Sequence, residues 1–96
     1  MTILAIELTL ADYAAWKSVF DTRKQFRKDT MGVKLERLYR SADNPTEILL
    51  WLDVLDAAKT RNEIASDDVQ KTMREAGVVG QPKIHVGLKY RGFCLD

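Results

Sequence analysis

Four short apolar runs with a two-residue period, separated by one helix-length stretch, a tight turn and another helix-length stretch, constrain this chain most. The runs are TILAIELT (2–9), VKLERLYR (33–40), EILLWLDV (47–54) and KIHVGLKY (83–90). In the first, Leu4, Ile6 and Leu8 alternate with Ile3, Ala5 and Glu7, the pattern of a strand with one face in a core. Tyr13, Trp16, Val19 or Phe20, and Phe26 then recur at spacings near three and four. Lys17, Arg23, Lys24 and Lys28 fill most of the remainder, so residues 13–28 read as one amphipathic helix. Asp12 can cap its start and Gly32 follows as a stop.

The second and third runs flank SADNPT, where Asn44-Pro45 marks a turn. Charge suggests a register: Arg40 opposite Glu47 and Lys34 opposite Asp53 pair opposite signs across the strands. The same register sets Val33 against Val54, Leu35 against Leu52, Arg37 against Leu50 and Tyr39 against Ile48. Asp56 can cap a second helix carrying Ala57, Ala58, Arg61, Ile64 and Ala65. Ser66-Asp67-Asp68 repeats a capping signature, so a break is expected near Ser66. Val69, Met73 and Ala76 continue at helical spacing to Gly77, and GVVGQP connects to the last strand. The order strand, helix, strand, strand, helix, strand predicts an α+β, ferredoxin-like βαββαβ fold with an antiparallel four-stranded sheet.

The 96 residues leave room for one domain, residues 1–96, with one core. A formal net charge of +1 argues against a nucleic-acid binder, which gathers a basic surplus on one face. The lone Cys94 and lone His85 are too few for a disulfide framework or a structural zinc site, so no metal and no cofactor is expected. Cys94 has no neighbouring base in sequence and is not read as a nucleophile. No run nears the ~18 apolar residues of a membrane helix. Glu7 stops the first apolar run, and no basic residue precedes it, so no secretory signal is expected. The plain reading is a cytoplasmic protein. Glycine patterns for dinucleotide or phosphate binding and a nucleophile elbow are missing.

In the charge-based register, Leu38, Leu49 and Trp51 share the second sheet face with Ile3 and Ala5. A patch this apolar should be covered, and two copies packed sheet against sheet would cover it. Trp51 then reads as an interface anchor. His85 should point toward the same face near Glu7, either as a hydrogen-bonded structural histidine or as an acid–base group.

The segments DYAAWKSVFD (12–21), GVKLERLYRSADNPTEILLWLDVLD (32–56) and MREAGVVGQPKIHVG (73–87) resemble the small stand-alone proteins of the dimeric α/β-barrel superfamily. Within it the chain is similar to the uncharacterised bacterial antibiotic-biosynthesis-monooxygenase-like proteins. That resemblance implies a dimeric α/β barrel and a homodimer. It also implies a small cofactor-independent monooxygenase, cyclase or isomerase acting on an aromatic or polyketide-like molecule. The alternative is a non-catalytic small-molecule-binding or interaction module, so whether the chain is an enzyme stays open. The haem-degrading branch, with its helix histidine and strand asparagine, fits poorly: the second helix has no histidine and the first strand offers Glu7.

The charge-based register places Arg37 and Tyr39 on the helix-facing side, where they could orient an anionic or phenolic ligand. Equally, Arg37 could pack its stem and hold its head in water. Trp16 and Phe20, one helical turn apart, are the remaining pocket candidates or simply core. The basic run Arg23-Lys24-Gln25-Phe26-Arg27-Lys28, bordered by Asp21 and Asp29, reads as a solvated helix face, and Asn62 as a solvated side chain.

Overall fold

The computed structural model describes residues 2–88. The elements are β1 (Thr2–Leu10), α1 (Tyr13–Thr22), α2 (Lys24–Asp29), β2 (Val33–Arg40), β3 (Glu47–Val54), α3 (Ala57–Ile64), α4 (Asp67–Glu75) and β4 (Val78–Leu88). They form one four-stranded sheet in the order β2-β3-β1-β4, with every neighbouring pair antiparallel. This is the expected ferredoxin-like α+β fold. The alternating residues Leu4, Ile6, Leu8 and Leu10 of β1 join Ile48, Leu50, Leu52 and Val54 of β3 in the core. Trp16, Met31 and Ile64 close that core from the helical side. Among the described residues, no helix covers the other sheet face.

The local signals behave as their chemistry requires. The Asp12 carboxylate accepts from the Ala15 amide at 3.0 Å, and Asp56 from the Lys59 amide at 3.1 Å. Ser66 accepts from the Val69 amide at 3.3 Å and separates α3 from α4, as the second capping signature predicts. Gly32 and Gly77 take φ of +70° and +92° after helices, the left-handed conformation glycine adopts without steric cost.

Three expectations are corrected. The helix expected over 13–28 is broken at Arg23 (φ −101°, ψ 13°). There the Thr22 hydroxyl donates to the Val19 carbonyl at 2.7 Å, and the Arg23 amide reaches back only three residues, to Phe20. The Arg27 guanidinium also donates to the Phe20 carbonyl, at 2.7 Å, supplying a partner that a continuous helix would not use. Second, β4 begins at Val78, so part of GVVGQP lies in the strand. Gly80 has φ +72°, pairing with β1 shifts between Glu7 and Thr9, and Pro82 is tolerated because β4 is an edge. The expected strand's last residues, Lys89 and Tyr90, lie outside the described residues, as does Cys94.

The third correction decides the faces. Val33 does pair with Val54, but Lys34 is an extra residue, and from there Leu35 faces Asp53, Arg37 faces Trp51 and Tyr39 faces Leu49. The irregularity shifts the charge-based register by one residue, and in a strand a one-residue shift exchanges the faces. Glu36 and Arg40 consequently point to the helices, where Glu36 meets Arg27 and Arg40 lies 4.0 Å from the Tyr13 ring centroid.

Candidate functional site

Between the helices and the sheet lies a cavity of about 110 Å³. Its floor includes Ile6 and Leu50 from the two central strands, and α4 contributes Val69 and Met73. Trp16 and Phe20 form an aromatic wall because residues four apart on a helix share a face. Their ring centroids are 4.7 Å apart with planes inclined by 26°, an offset stack. Met31 and Met73 bring unbranched, adaptable side chains to the same space.

Among the described residues, the polar side chains lining this cavity are Arg23, Arg27 and Thr72, with no carboxylate. Arg27 is buried, contrary to the solvated reading of the basic run. Its Nε and Nη2 engage the two Glu36 carboxylate oxygens as a fork, the Nη2 contact being 3.2 Å. Its guanidinium carbon also sits 3.6 Å from the Phe20 ring centroid. Arg23 is set differently. It lies 4.3 Å over the Phe26 ring, pairs with Asp68 of α4 at 3.2 Å, and keeps a third of its side chain in solvent. The result is an apolar, aromatic chamber with one internally satisfied guanidinium and a second at its mouth.

The sequence-predicted residues divide between two places. Trp16 and Phe20 line the cavity. Arg37 and Tyr39 do not join them, since the β2 irregularity puts both on the open sheet face, exposed. Leu38 moves the other way and packs, half-buried, on the helical side against the core. Leu49 and Trp51 lie on the open face, and so does His85, which is paired across the sheet with Ala5. The His85 Nε2 is 3.0 Å from a Glu7 carboxylate oxygen. Tyr39, Leu49, Glu7 and Lys83 also border a cleft of about 500 Å³ near one end of the sheet. Asn62 is exposed on α3. Among the described residues, no three His, Cys, Asp or Glu side chains gather to hold a metal ion, and no helix is long and apolar enough to cross a membrane.

No protein-family model and no curated protein matches the sequence. Solved structures do match the fold. A Bordetella bronchiseptica protein described as a candidate antibiotic biosynthesis monooxygenase superposes with a TM-score of 0.74 at 17% identity, covering 94% of this chain and 98% of that one. SnoaB, a cofactor-independent oxygenase from Streptomyces nogalater, gives 0.72 at 15% identity, covering 95% and 94%. Rv0793 from Mycobacterium tuberculosis gives 0.65 at 13% identity, covering 96% and 98%. This chain has the fold of the antibiotic-biosynthesis-monooxygenase-like proteins. The likeness is one of backbone architecture.

Sequence reasoning missed Arg23, Arg27 and Glu36. One signal for Arg27 was available: it follows Phe20 by seven residues, two helical turns along the stripe of Trp16 and Phe20. Its partner was concealed, because Glu36 reaches the helical side only through the β2 irregularity.

Proposed function

We propose that this chain is a small cofactor-independent monooxygenase whose substrate inserts an aromatic ring between the sheet and the helices. The observation that carries this reading is the cavity wall itself. Trp16 and Phe20, stacked on one another, give the cavity aromatic surface. Arg23, a third of whose side chain stays in solvent, lines the same space and can face the charge of a phenolate or enolate. An electron-rich aromatic methylene reacts with oxygen as its enolate. The carbon takes one oxygen atom as a carbonyl, and the other leaves as water with the two hydrogens of the methylene. The substrate supplies the electrons, and the protein's part is to desolvate the ring, hold it and stabilise the anion.

The test is oxygen consumption with an anthrone-type substrate, expected at one oxygen molecule per carbonyl formed and greatly reduced in Trp16→Ala. Saturable binding with no consumption above the protein-free rate refutes the oxygenase and leaves a binding module. Shared fold with SnoaB, named as a cofactor-independent oxygenase, supports choosing oxygen chemistry first.

We infer further that a second copy covers the open sheet face, making a dimeric barrel. Leu35, Tyr39 and Trp51 stand 44%, 51% and 38% exposed there, beside half-buried Ile3, Ala5 and Leu49. Large apolar side chains exposed on one face, interspersed with Arg37, Glu7 and His85, favour burial against a like surface.

A further inference from the structure

We infer that Arg23 selects an acidic aromatic ligand, and that Asp68 holds its guanidinium in reserve until the ligand's anion displaces it. This rests on the cavity being an aromatic site and adds the class of molecule it takes.

Size comes first. At about 110 Å³ the cavity is somewhat smaller than the roughly 150 Å³ apolar cavity that binds benzene. One ring is therefore the most the chamber encloses, and the rest of a larger ligand, fused rings or substituents, must lie at the mouth. Among the described residues, the charged groups lining the cavity are Arg27 and Arg23. Arg27 is committed, with three of its donors engaged by Glu36 and the Phe20 carbonyl. Among the described residues Arg23 makes a single side-chain hydrogen bond, to an Asp68 whose side chain is 70% exposed. An exposed ion pair of that kind contributes little and exchanges readily, because water screens both charges. A ligand carboxylate, phenolate or enolate anchored by its ring in the chamber competes with Asp68 from a fixed position. It therefore takes the guanidinium with less entropic cost than a free anion would.

The same contact ties α4 to the rest of the molecule. None of the residues of α4 is fully buried, although Val69, Thr72 and Met73 line the cavity. The helix lies between the Ser66 cap and the left-handed Gly77, two points where the backbone changes direction.

The experiment titrates the full chain with benzoate and with benzyl alcohol, a neutral molecule of nearly the same shape. Binding is followed by the NMR shift of the Trp16 indole N–H and the Met73 methyl. Wild type should prefer benzoate by about tenfold, the scale of a charge-assisted hydrogen bond at a partly exposed site. Arg23→Gln should abolish that preference, bringing the ratio of benzoate to benzyl alcohol affinity down to about one. Asp68→Asn should tighten benzoate by about threefold, because it removes a competing carboxylate of surface-ion-pair strength. A weakening in Asp68→Asn overturns the inference, since Asp68 would then be positioning Arg23 rather than competing for it. Equal benzoate preference in wild type and Arg23→Gln also overturns it. If benzyl alcohol binds and benzoate has no advantage, this inference alone fails. If neither ligand moves the Trp16 signal, the reading of the cavity as an aromatic site fails with it.

Discussion

Replacing Glu36 by leucine should destabilise the fold far more than its position on a half-buried strand face suggests. The side chains of Arg27 and Glu36 are 9% and 24% exposed, and removing the carboxylate takes two of the three hydrogen bonds from a guanidinium that water hardly reaches. Orphaning a buried charge costs about 3–5 kcal/mol. The Phe20 carbonyl and ring remain as partners, which puts the expected loss at the lower end, about 3 kcal/mol. Arg27→Met should cost less, about 1–2 kcal/mol, because Glu36 is exposed enough to be hydrated once its partner has gone. The double variant Arg27→Met with Glu36→Leu removes both charges and should return to within about 1 kcal/mol of wild type. Urea unfolding followed by circular dichroism measures all four corners of this cycle. In a domain of this size Glu36→Leu should also lower Tm by more than about 10 °C. A loss under about 1 kcal/mol for Glu36→Leu would refute the reasoning, because the pair would then be hydrated in solution. A double variant as unstable as the two single losses added together would refute it equally, showing two independent packing defects instead of one coupled pair.

Two other substitutions test the assignment of faces. Trp51→Glu places a charge at the centre of the open sheet face and should convert a dimer to monomer, read by light scattering; a wild type with the mass of one chain at micromolar concentration sinks the dimer. Arg37→Met, on that same face, should leave benzoate and benzyl alcohol binding in the cavity unchanged, whereas a loss of cavity binding would contradict the β2–β3 pairing.

The elements were legible because their signals are local. A capping carboxylate at Asp12 or Asp56 acts on an amide three residues away, and Ser66 interrupts a helix whatever packs around it. The alternation of Leu4, Ile6 and Leu8 needs only the geometry of one strand. Four such runs in this order allow few sheets, and the βαββαβ arrangement follows from them.

The candidate site was only half legible. Trp16 and Phe20 could be placed because helical spacing puts them on one face. Arg37 and Tyr39 could not, since strand faces repeat every two residues and the single extra residue at Lys34 exchanges them. No local pattern announces such an irregularity; it arises where Val33 and Val54 both reach the core while Glu36 meets Arg27. Arg27 carries the same lesson from the other side. Its sequence neighbours are charged, which makes it look solvated, yet a carboxylate nine residues on and the Phe20 carbonyl offset its burial. Sequence alone determined which segments become strands and helices, because those choices rest on neighbours along the chain. Tertiary structure decided which guanidinium is sealed inside and which is left at the mouth, because a buried charge is tolerated only where the fold brings it a partner.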